Sequence, residues 1–188
     1  MMLWVLCGFV SGALSDLAFL GGGGNPLGLL LPGIFFGLAV SACLRKGTTH
    51  NLIGFIATST LAYYVAVLTT FALNAYNPLW FSPPTRIDSW TLLLAGIVGA
   101  LITSIGVHGL LFPLNLKEII SITLSGGLFG IVGWTIGSFY VWGGQNYYAR
   151  WFVSNICSLL LIWQVGTAFV LGAYVKREKR IQDLRLVG

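Results

Sequence analysis

Two histidines, His50 and His108, and five acidic residues are all that the chain offers for proton transfer or metal binding. No H-E-x-x-H, paired-Asp or G-x-S-x-G spacing occurs. The patterns that hold a catalytic zinc or expose a nucleophilic serine are therefore missing. Ser125, in the run LSGG, and His108 are the one pair that invites an intramembrane serine-protease reading. The serine lacks the glycine-flanked context of an activated nucleophile, so enzymatic chemistry is not expected. No cluster has metal-ligand spacing, and neither a metal nor a cofactor is expected. Cys7, Cys43 and Cys157 are odd in number and all fall in apolar runs. They read as small packing residues rather than a disulfide framework. Cys7 follows Leu6, where a lipoprotein signal needs a small residue, and no basic segment precedes it; neither lipidation nor a cleaved signal is expected.

The remaining polar residues stand alone inside apolar surroundings. Asp16 is the only acid within an apolar segment. A charge there must meet water or a partner, so it is either a solute or proton site or an interfacial turn residue. His108 lies near the end of its segment and reads as a neutral imidazole bonded to a neighbouring helix, or as a proton relay. Asn155 and Gln164 are amides that would bridge helices or contact a solute. Thr58, Ser59 and Thr60, with Tyr63 and Tyr64, form a hydroxyl-rich run that either lines a path or bonds back to its own helix. Asp16, His108, Asn155 and Gln164 are the candidate pathway-lining residues.

The elements that must position them are set by composition. Charged residues make up 8% of the 188 residues, against about 25% in an average soluble domain. The long segments are apolar all the way round, which suits lipid rather than water. Six such segments are expected, at about 2–20, 27–44, 52–73, 91–112, 119–142 and 151–175. Each approaches the roughly 20 residues that cross a hydrocarbon core of about 30 Å. A β-barrel is excluded because the segments do not alternate in polarity. The expected fold is all-α: a polytopic integral membrane bundle of six helices over 1–175, then a basic cytoplasmic tail at 176–188.

Lysine and arginine set the expected orientation. With both termini in the cytoplasm, the loops at 45–51 and 113–118 and the tail place eight of the ten basic residues inside and two, Arg86 and Arg150, outside. Aromatic residues around Trp80, Trp90, Trp142 and Trp151 gather at the opposite face, as an interfacial belt would. The long connection 74–90 suits a segment in the outer interface, as an anchor or a lid. A bacterial inner membrane is the expected location. The basic residues sit at segment ends with no aromatic-interleaved patch, so nucleic acid is not an expected partner.

The octets LPGIFFGL (31–38) and LSGGLFGI (124–131) match at Leu31/Leu124, Gly33/Gly126, Phe36/Phe129 and Gly37/Gly130. Each falls in the second segment of a three-segment half, so an inverted three-plus-three repeat is a second expectation. Gly8–Gly12, Gly33–Gly37, Gly126–Gly130 and Gly133–Gly137 are G-x-x-x-G pairs, which make flat strips where a neighbouring backbone can approach. Residues 11–47 resemble a region of the substrate-binding subunits of energy-coupling-factor vitamin transporters, which are also small six-span proteins. NPLGL (25–29), GIFFG (33–37) and KGTT (46–49) are similar to pieces of the acetate-uptake channel family. The two resemblances claim the same residues for different families, and neither is taken as an assignment. The reading favoured by the residues is a small-solute transporter or channel component. The alternative is a non-catalytic subunit of a larger membrane complex. The bilayer is the expected partner, with further copies or partner membrane subunits beside it.

Overall fold

In a computed structural model the chain forms α1 (Met2–Gly21), α2 (Pro26–Leu44), α3 (Thr49–Ala75), α4 (Ser89–Leu110) and α5 (Leu116–Phe139), followed by α6 (Ser158–Arg177). The residues described are 1–21, 26–44, 48–75, 89–139 and 158–177, and among them there are helices and no strands. Three helix starts have a clear local cause. Pro26 brings a fixed φ to the first position of α2, where a missing N–H costs nothing. Thr48 caps α3, its Oγ1 accepting from Asn51 N at 3.3 Å. Asn115 and Glu118 form a reciprocal capping box at α5. Glu118 N donates to Asn115 Oδ1 at 3.0 Å, and Asn115 N donates to Glu118 Oε2 at 2.8 Å. The connections read from sequence at 45–51 and 113–118 therefore end earlier, because their last residues already belong to helices.

Among the described residues, four helices are long and apolar enough to cross a membrane: Thr49–Thr70, Trp90–Leu110, Leu116–Ile136 and Ser158–Arg177. The described apolar stretches of the other two, Met2–Ala18 and Leu30–Leu44, are shorter. The outward faces carry rows of large apolar side chains. Leu116, Ile120, Leu124 and Leu128 form one such row on α5, and Leu3, Leu6, Val10 and Leu17 another on α1. Patches this continuous are not tolerated against water and suit hydrocarbon.

One end of the bundle holds a core to which every helix contributes: Trp4, Val40, Phe55, Val107, Ile122 and Leu171. Trp4 is near the start of α1 and Val40 near the end of α2. The same alternation continues through Phe55, Val107, Ile122 and Leu171. Successive helices thus run in opposite directions, and the start of α1 and the end of α6 meet at one end. Helices α1 to α5 pack as neighbours in chain order. α6 closes the bundle between α5 and α1. A Cβ added to Gly8 would stand 2.8 Å from Val165 Cα, one added to Gly12 2.9 Å from Leu161 Cα, and one added to Gly133 2.7 Å from Leu159 Cα. These helices approach to backbone contact. Trp163 of α6 also reaches α2, its ring 5.6 Å from that of Phe36.

Candidate functional site

Four of the buried polar residues, Ser11, Ser15, Ser59 and Gln164, are linked where α1, α2, α3 and α6 meet. Gly8, Ser11, Gly12 and Ser15 are all buried and follow the i, i+3, i+4, i+7 spacing of a single helix stripe. This stripe faces α6. Gln164 is completely buried against it. Ser11 Oγ donates to Gln164 Oε1 at 2.6 Å, and Gln164 Nε2 donates to Ser15 Oγ at 2.9 Å. The same Nε2 donates to Pro32 O of α2 at 3.4 Å. Ser15 Oγ in turn donates to Ser11 O at 2.7 Å. One amide thereby ties three helices together, with both N–H groups and its carbonyl in use.

Pro32 lies inside α2, where the ring removes a backbone donor. Here two successive carbonyls of α2 accept side-chain bonds from outside the helix. Pro32 O takes the amide of α6, and Gly33 O takes Ser59 Oγ of α3 at 2.8 Å. The absence of side chains at Gly33 and Gly37 permits this. A Cβ at Gly33 would lie 2.8 Å from Ser59 O, and one at Gly37 2.8 Å from Ile56 Cα. Other hydroxyls of α3 bond back to their own helix. Thr58 Oγ1 donates to Gly54 O at 2.9 Å and Thr60 Oγ1 to Ile56 O at 2.8 Å. Within the hydroxyl-rich run, Ser59 links α3 to another helix.

Asp16 follows Ser15 on α1. It is half-buried, its Oδ1 is shielded from solvent, and Tyr63 of α3 lies within its electrostatic reach. On α6, Trp163 Nε1 and Thr167 Oγ1 are buried one turn apart and make no hydrogen bond among the described residues. Buried polar atoms are nearly always paired, so these two atoms on α6 require an explanation; the indole Nε1 would stand 3.4 Å from a Cβ at Gly126 of α5.

The structure brings Asp16 and Gln164 into this region and leaves His108 apart from it. His108 is exposed in the last turn of α4, where its Nδ1 accepts Leu114 N at 2.9 Å and shapes the α4–α5 connection. Asn155 lies outside the described residues. No group of three or more His, Cys, Asp or Glu capable of holding a metal occurs among the described residues. Sequence reasoning missed Ser11, Ser15, Trp163 and Thr167. The signal for the serines was present, because they interleave with Gly8 and Gly12 on one stripe. Comparison of the chain with protein-family models, with characterised proteins and with solved structures finds no match.

Proposed function

We propose that this chain is a six-span membrane protein that moves a small solute, with both termini in the cytoplasm, and that the α6 face at Trp163, Gln164 and Thr167 contacts the solute. The observation that carries the reading is that Trp163 Nε1 and Thr167 Oγ1, buried in an apolar bundle, find no hydrogen-bond partner among the described residues. An unpaired buried polar atom costs about 1–3 kcal/mol. A solute with hydrogen-bonding groups would offset that cost. Asp16 supports the same reading, since an acid at membrane depth is expensive and is commonly kept for a solute or proton path. Pro32 lies inside α2, which runs unbroken from Pro26 to Leu44, and its carbonyl accepts from Gln164. The reading does not need an internal repeat. Gly33 packs on α3, and its sequence counterpart Gly126 packs on Gly96 and Ala100 of α4 and also lies beside Trp163 of α6.

The test uses Thr167→Val and Asp16→Asn, assayed as growth or uptake in a deletion strain under conditions where the deletion has a phenotype. Thr167→Val removes a hydroxyl that has no partner among the described residues, so the purified protein should be as stable as wild type or more so. Uptake should fall all the same. Full complementation by both variants would remove the solute role from this face.

One observation favours the alternative, a structural subunit of a larger membrane complex. The Gln164 amide is fully used in tying α1, α2 and α6 together. Under that reading the protein extracted from native membranes with a mild detergent would come out with partner chains. A solute transporter would come out alone or as copies of itself.

A further inference from the structure

We infer that the paired ends of α5 and α6 form a binding site for the headgroup of an anionic phospholipid. Arg177 is the centre of the site. Its guanidinium pairs with Glu118 Oε1 through one nitrogen, and it lies 5.7 Å above the Tyr174 ring. Glu118 is itself 7% exposed and fixed by the capping box with Asn115. The guanidinium is thus held from two sides, yet its side chain stays 51% exposed. A guanidinium carries five N–H donors in a rigid fork, so donors beyond those on Glu118 remain to meet a phosphate.

Charge and apolar surface both point to a lipid. Lys117 and Lys176 are exposed and each is adjacent in sequence to a member of the Glu118–Arg177 pair. The two lysines stand at the same end of the bundle as the pair, which leaves that end with a surplus of positive charge. Away from this end run two exposed apolar rows. Leu116, Ile120, Leu124 and Leu128 continue along α5 from Lys117, and Phe169 and Ala173 continue along α6 from Lys176 and Arg177. A free anion would use the cations alone. A phospholipid would use both features, its phosphate at the cations and its acyl chains along the rows. The site depends on the membrane reading but not on solute transport.

The experiment is thermal unfolding of the full chain in a neutral detergent with added phosphatidylglycerol, phosphatidylcholine or inorganic phosphate. Phosphatidylglycerol should raise the midpoint by several degrees, and the other two should not. The double variant Lys117→Gln/Lys176→Gln leaves the Glu118–Arg177 pair intact and should lose most of that rise while unfolding near the wild-type temperature without lipid. Arg177→Lys keeps the charge but loses the fork, and should lose part of it. Equal stabilisation by phosphatidylcholine would overturn the inference, as would a full rise in the double variant. A rise with inorganic phosphate equal to that with phosphatidylglycerol would make this an anion site rather than a lipid site, and would overturn it too.

Discussion

Gln164 makes three hydrogen bonds to two other helices, but losing them leaves little stranded. Ser11 Oγ also has Gly8 O within reach at 3.0 Å, and Ser15 Oγ already donates to Ser11 O. After Gln164→Leu both hydroxyls keep acceptors within their own helix. Interhelical side-chain bonds in membrane bundles are worth about 0.6 kcal/mol on average and rarely above about 1.7 kcal/mol. Gln164→Leu should therefore lower stability by about 1–2 kcal/mol in reversible unfolding in detergent. Gln164→Glu puts a carboxylate in the same closed space, and should cost about 3 kcal/mol. A smaller loss for Glu than for Leu would mean that water reaches the junction. At this scale the sequence was partly legible. Gln164 and Asp16 stood out because amides and acids are rare in apolar runs. Ser11, Ser15 and Thr167 did not, because small hydroxyl residues are common in such runs and only their buried neighbours give them meaning.

Helix contacts here are graded by how close a neighbour's backbone comes to each glycine, and the grading predicts a series of alanine variants. At Gly12 a Cβ would lie 2.9 Å from Leu161 Cα, at Gly130 3.1 Å from Leu92 O, and at Gly109 nothing lies within 4 Å. Gly12→Ala should destabilise by about 1–3 kcal/mol, as overpacking does. Gly130→Ala should cost less. Gly109→Ala should be neutral or stabilise by up to about 1 kcal/mol, the helix preference of alanine over glycine. Any other order in the unfolding midpoints would contradict these contacts. The helices themselves were readable, since runs that are apolar on every side can hardly be anything else. Their ends were read less well. Thr48 and the Asn115-x-x-Glu118 box lay in segments assigned to loops, although the second is a recognisable capping signature. The partner of each glycine strip could not be read, because a strip on one helix does not say which neighbour will cover it.

The alternating directions of the six helices place the described basic residues Lys117, Lys176 and Arg177 at the end of the bundle that also holds Trp4. If that end is cytoplasmic, single cysteines at Thr49 and Gln182 will be shielded from an impermeant thiol reagent in intact cells, and one at Ser82 will react. These would be introduced after replacement of Cys7, Cys43 and Cys157. Labelling at 49 or 182 alone would reverse the orientation. The closing role of α6 also bears on how the bundle is made. α6 is synthesised after the other five helices, yet it covers the Gly8–Ser15 stripe of α1, supplies the amide for Pro32 O and meets Gly133 of α5. Until it enters the membrane, α1 must wait with its small-residue stripe turned toward lipid, and the Ser11–Gln164 bond must join residues 153 positions apart. Assembly of this protein is therefore a late event in its biosynthesis, and chains interrupted before α6 will present quality-control proteases with an unclosed bundle.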